Sequence, residues 1–144
     1  MDAQTVVVLN GPNLNLLGER EPAVYGPDTL ADVEALCQAA CDRHRLALDF
    51  RQSNHEGLLI DWVQEARHRS AGIVLNAGGY THTSVALRDA VAACSVAVVE
   101  VHISDIYARE SFRHTSFLHD VVAHHVIGRG VQGYVEAIDW IAPW

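Results

Sequence analysis

Short apolar runs alternate with longer amphipathic stretches from one end of the chain to the other. Residues 5–9 form a β-branched and apolar run of strand length, and Asn10-Gly11-Pro12-Asn13 follows as a cluster of turn residues. From 29 to 45 the apolar positions Leu30, Val33, Leu36, Cys37 and Ala40 recur at helical spacing, with Thr29 as cap and Asp32 three residues on. Residues 47–52 alternate apolar with polar, 56–68 return to helical spacing, and 72–76 are apolar again. The pattern predicts helix over 84–94, a strongly apolar strand over 95–101, a short strand over 125–127 and a closing helix over 131–141.

Helices alternating with apolar strands favour a parallel sheet, because parallel strands need long crossovers and hide both faces. The expected fold class is α/β: a five-stranded, flavodoxin-like three-layer sandwich formed by one domain over residues 1–144. In such sheets ligands bind beyond the carboxyl ends of the strands, so the loops after Leu9, Gln52, Asn76 and Val101 should converge. The first of these runs from Asn10 to Tyr25, longer than an ordinary connection, as functional lids are.

Composition narrows the chemistry. A formal net charge of −8 without a basic cluster argues against nucleic acid and membrane surfaces as partners. All ten basic residues are arginine, which excludes imine chemistry on lysine and the phosphate-loop lysine. The 3 cysteines, no signal peptide and no long apolar run point to a reduced, cytoplasmic protein. Cys37 and Cys41 lie in an apolar stripe, and His119, His124 and His125 lack a clear ligand pattern, so no metal and no cofactor is expected.

Several constellations can carry chemistry, each beside a plainer reading. Arg20 near Tyr25 can stabilise a phenolate and make Tyr25 a base; equally, Arg20 can pair with Glu19 or Glu21 while Tyr25 packs over the sheet. Glu100 and His102, two apart on a strand, share a face, so the carboxylate can orient the imidazole as a general acid or merely form a structural pair. Residues 76–84, with Asn76, His82 and the two glycines between them, suit an oxygen-rich anion, although Gly-rich turns before helices are common. Arg109 and Arg113 can grip a carboxylate, or form a solvated ion-pair segment with Glu110.

Together these blocks resemble the type II 3-dehydroquinate dehydratase family. The resemblance rests on Leu9-Asn10-Gly11-Pro12-Asn13-Leu14-Asn15, Gly18-Glu19-Arg20-Glu21-Pro22 with Tyr25-Gly26, and Gln52-Ser53-Asn54-His55-Glu56-Gly57. Thr81-His82-Thr83-Ser84 running to Ala90, and Glu100-Val101-His102-Ile103-Ser104, complete it in family order.

The resemblance implies a hydro-lyase that removes water from 3-dehydroquinate by anti elimination through an enolate, giving 3-dehydroshikimate for the shikimate pathway or in quinate catabolism. It implies Tyr25 as tyrosinate base, Arg20 holding the phenolate, Asn13 steadying the enolate through a water, His102 as acid and Glu100 orienting it. Asn76, His82, Ser104, Arg113 and the amide of Ile103 match substrate-gripping positions, and Asp89 matches a residue reaching in from a neighbouring subunit. Family members look like trimers assembled into dodecamers, so a homo-oligomer is implied.

Ala77, Asp105 and Tyr107 depart from the family's usual proline, asparagine and histidine. Asp105 is expected to weaken substrate binding by its charge. Residues 119–125 replace a stretch usually built on Ser-Pro, and their histidines suggest pH-sensitive assembly. The rival reading is a flavodoxin-like binding module for a flavin or other small molecule without catalysis. Its phosphoacceptor version is disfavoured by Asn76 at a strand end and by the missing lysine.

Overall fold

The computed structural model describes residues 3–143. Five parallel strands form one sheet: β1 (Thr5–Asn10), β2 (Ala47–Gln52), β3 (Gly72–Asn76), β4 (Val98–His102) and β5 (His124–Ile127), in spatial order β2-β1-β3-β4-β5. Five α-helices accompany them: α1 (Pro22–Tyr25), α2 (Leu30–Arg43), α3 (Glu56–Ala66), α4 (Val85–Ala92) and α5 (Gln132–Ile141). The expected flavodoxin-like sandwich is therefore the fold. Among the described residues no helix is long and apolar enough to cross a membrane.

The central strand explains the layers. Val6 and Val8 of β1 pack with α2 and α5, whereas Val7 and Leu9 pack with α3 and α4, all four fully buried. Alternate side chains feed two cores, which is why β1 reads as a continuous apolar run. Cys37 and Cys41 sit wholly in the α2 side of the core; burial pushes their thiols up to about 12 and about 11, so they pack as protonated, apolar groups.

Local sequence sets the helix starts. Thr29 accepts from the Asp32 amide at 3.2 Å and its own amide donates to the Asp32 carboxylate at 2.9 Å, the reciprocal box that opens α2. Ser84 Oγ accepts from the Leu87 amide at 2.9 Å and opens α4.

The boundaries differ from the pattern in instructive places. Arg45 takes a left-handed φ of 57°, so α2 stops at Arg43. The strand expected from residue 95 begins at Val98, because the Ser95 and Val96 amides turn aside to the Arg67 carbonyl. The long first loop holds a 3-10 turn, Leu14–Leu16, and α1, and the β4–β5 crossover carries the 3-10 turns Ile106–Ala108 and Ser111–Arg113.

The first and third strand ends approach very closely. The Gly11 amide donates to the Asn76 carbonyl at 2.8 Å, and a Cβ on Gly11 would stand 2.4 Å from the Ala77 carbonyl oxygen. Only glycine fits there. This contact pins the start of the first loop to the turn after β3.

Candidate active site

Beyond the carboxyl ends of β1, β3 and β4 lies a small cavity of about 130 Å³. Asn13, Arg20, Tyr25, Asn76, His82, His102, Ile103, Ser104 and Arg113 all line it, so the structure brings together nine of the residues singled out from sequence. Glu100 stands one layer beneath, fully buried behind His102.

His102 Nε2 and Glu100 Oε2 are 2.6 Å apart, on neighbouring same-face positions of β4. A carboxylate oxygen can only accept, so Nε2 carries the hydrogen and Nδ1 is left to exchange a proton with a ligand. Ser116 Oγ donates to the same oxygen at 2.6 Å, and His125 Nδ1 lies 3.2 Å from Oε1. Burial by itself pushes the Glu100 carboxyl up; the bond and charge of His102 with the bonds from Ser116 and His125 outweigh it, and the net position is below the ordinary carboxylate range. Glu100 is thus held ionised in the dark of the fold.

His82 stacks beside His102 with ring centres 6.4 Å apart. Its Nδ1 is 2.8 Å from the Thr115 carbonyl, which makes Nδ1 the donor and Nε2 an acceptor in the neutral ring. Burial lowers the His82 imidazole; the Thr115 bond opposes this, while His102 and Arg113 add to the lowering. A neutral His82 is suited to accept from a ligand hydroxyl.

Tyr25, half-buried at the end of α1, lines the same cavity. Arg109 Nη1 donates to its hydroxyl at 2.7 Å, and the Arg20 guanidinium carbon lies 5.1 Å from its ring centre. Arg20 also pairs with Glu21 at 3.4 Å, so its guanidinium is shared between that carboxylate and the Tyr25 ring. Arg109, with a side chain 13% exposed, is the more enclosed cation. The sequence marks Arg109 with Arg113 as a carboxylate grip or a solvated ion-pair segment, not as a partner of Tyr25; both arginines line the cavity.

The remaining lining groups are mostly already engaged from behind. Asn76 Nδ2 donates to Tyr134 Oη at 2.9 Å and its Oδ1 accepts from the Gly78 amide at 3.2 Å, leaving one amide hydrogen for a ligand. Tyr134 Oη in turn donates to Asn10 Oδ1 at 2.7 Å. Asn13 sits in the left-handed region at φ 69°, a conformation asparagine tolerates, with its backbone amide on Asn54. Ile103 and Ser104 follow His102 directly, where β4 has ended and backbone amides are free to face the cavity.

Two sequence-marked residues lie elsewhere. Asp89 is exposed on α4, away from its own chain's cavity. Asp105 is exposed and does not line the cavity; its carboxylate accepts from the Tyr107 amide at 3.0 Å and caps the following turn.

Comparison with known proteins agrees with this geometry. The family model described as dehydroquinase class II matches residues 4–142. The 3-dehydroquinate dehydratase of Acidovorax ebreus (strain TPSY) is 63% identical over 98% of this chain and 99% of its own length. That of Streptomyces coelicolor is 56% identical over 95% of this chain and 88% of its own. Among solved structures, the type II dehydroquinase of Propionibacterium acnes superposes with a TM-score of 0.91 at 35% identity, covering 98% of this chain and 97% of that one.

Proposed function

The chain belongs to the class II dehydroquinase family and is a hydro-lyase, a 3-dehydroquinate dehydratase, and we propose that it removes water through an enolate formed by a tyrosinate and resolved by a histidine acid. The observation that carries this reading is the cavity itself, lined both by Tyr25 with two guanidinium groups against it and by an imidazole backed by a buried carboxylate.

The Tyr25 phenolate takes the proton from the carbon beside the ketone, and the C–H electron pair becomes the enolate. Arg109 and Arg20 face the charge that the Tyr25 oxygen carries as base. Asn13 steadies the enolate oxygen through a water. The enolate then collapses: its electrons form the carbon–carbon double bond, the hydroxyl β to the ketone leaves, and His102 gives it a proton. One proton and one hydroxide leave as water. A proton passing from Tyr25 to His102 restores both groups.

Glu100 fixes which imidazole nitrogen faces the carboxylate and holds the ring in place. Arg113, Ser104, His82, Asn76 and the Ile103 amide, which line the same cavity, hold the substrate's carboxylate and hydroxyls. Each step uses a base, an acid and fixed dipoles, which accords with a chain lacking lysine. The product suits the shikimate pathway and quinate catabolism alike.

Asp89 would serve a neighbouring chain's cavity, which fits its exposure on α4 and a homo-oligomer of trimers within a dodecamer. The test is growth of ultraviolet absorbance from the conjugated enone on adding 3-dehydroquinate, with chelator present. Growth in the wild type that is abolished in Tyr25→Phe is expected. Equal rates in the two proteins would overturn Tyr25 as base.

A further inference from the structure

Strand register brings together three side chains that are far apart in sequence. The parallel pairing of β4 with β5 sets Glu100 opposite His125. The turns after Ser116 carry the exposed His119 back over the same spot, where its ring stacks on His125 with centres 4.0 Å apart and planes 13° from parallel. One ligating atom from each of Glu100, His119 and His125 lies within 4.8 Å of the other two.

The two carboxylate oxygens of Glu100 face different partners. Oε2 receives His102 and Ser116, the side that serves the reaction. Oε1 faces His125 at 3.2 Å. We propose that Glu100, His119 and His125 form a site for a divalent transition-metal ion of the zinc class, and that filling it inhibits dehydration by withdrawing Glu100 from His102. The inhibitory half rests on the role given above to Glu100.

The donor set selects the ion. Two imidazole nitrogens with one carboxylate oxygen suit zinc-like ions, whereas calcium and magnesium take oxygen ligands. Tetrahedral bonds of about 2.0–2.2 Å put neighbouring ligand atoms roughly 3.3 Å apart. The Oε1 to Nδ1 separation of 3.2 Å already meets that spacing. His119 is exposed and already stacked over His125, so it can supply the third ligand, and the half-buried His125 leaves a path from solvent. A fourth position stays open to water.

The consequence for chemistry is electrostatic. A dication on Oε1 competes with His102 for the same carboxylate. The sequence offers His119 and His125 without a ligand pattern, so no metal is expected from it, because the carboxylate comes from the neighbouring strand and the histidines are separated by a turn.

Zn²⁺ titration of the whole protein by calorimetry, Co²⁺ absorption spectra and the enone assay test the proposal together. The expected result is one Zn²⁺ per chain, with affinity lowered at least about tenfold in His119→Ala and in His125→Gln. Zinc should also slow the wild type reversibly with chelator, while His119→Ala keeps its metal-free rate within about twofold and resists zinc. Equal affinity in wild type and both variants would overturn the site, as would lack of stoichiometric binding. Binding without inhibition would overturn the link to Glu100. The calorimetry and Co²⁺ spectra require no turnover, so they report the site even in a protein inactive on 3-dehydroquinate.

Discussion

Two buried polar clusters sit at the same end of the sheet, and they are built differently. Beneath β1 and β3, the Tyr134 hydroxyl joins Asn10 to Asn76, and Asn10 Nδ2 donates onward to the Arg51 carbonyl at 2.9 Å. Burial pushes the Tyr134 phenol well up, so this cluster is neutral. Beneath β4, Glu100 is a full charge with zero exposure, shared among His102, Ser116 and His125. The neutral cluster ties two strand ends to α5 and has no proton to give. The ionic cluster exists only while its donors are in place, and one of those donors faces the cavity. Placement at the strand ends is common to both; charge and access separate framework from chemistry.

Breaking the ionic cluster at its outer member should have the largest effect. His102→Ala should lower kcat by about 10²–10⁴-fold in the enone assay, the usual worth of a positioned acid, with the fold intact by circular dichroism. Glu100→Gln comes next, with kcat down about 10²-fold and KM little changed, because the imidazole loses its orienting charge rather than its contact with substrate.

The same variant sharpens the contrast through pH. The folded Glu100 carboxyl lies below its ordinary value, so its contribution to stability is complete above the unfolded value of about 4.3 and is lost as pH falls through the folded value. Urea unfolding should therefore show a wild-type advantage over Glu100→Gln at pH 6 that narrows below about pH 4.

The neutral cluster should respond in the opposite currency. Tyr134→Phe leaves Asn10 and Asn76 without their shared partner and should cost about 1–3 kcal/mol in urea unfolding. That loss should be flat across pH 5 to 8, and kcat should move by less than about fivefold. The smallest change belongs to Asp105→Asn. With its carboxylate exposed and turned toward the Tyr107 amide, it should lower KM by less than about twofold in the enone assay.

Much of this contrast was legible in the residues. The strands came from apolar runs with two buried faces, and the Glu100–His102 pair from period two on β4. Motif resemblance gathered Asn13, Arg20, Tyr25, His82 and Arg113 into one site, and the cavity receives them all. What stayed hidden was lateral. Tyr134 reads as an amphipathic-helix residue, and only the packing of α5 against β3, β4 and β5 carries its hydroxyl to the two asparagines. Arg109 reads as one of a pair in a charged segment, and only the crossover's path sets it on Tyr25. His125 reads as part of a short strand, and only sheet register gives it Glu100. Periodicity reports which face a side chain takes, not which neighbour it meets there.

The division of labour between Tyr25 and His102 is the central claim, and proton exchange separates the two roles without requiring the full reaction. Each variant is given 3-dehydroquinate in deuterium oxide, and loss of the hydrogen beside the ketone is followed by NMR alongside enone formation. The account predicts that His102→Ala still exchanges that hydrogen while eliminating slowly, and that Tyr25→Phe does neither. Exchange at the wild-type rate in Tyr25→Phe would contradict it.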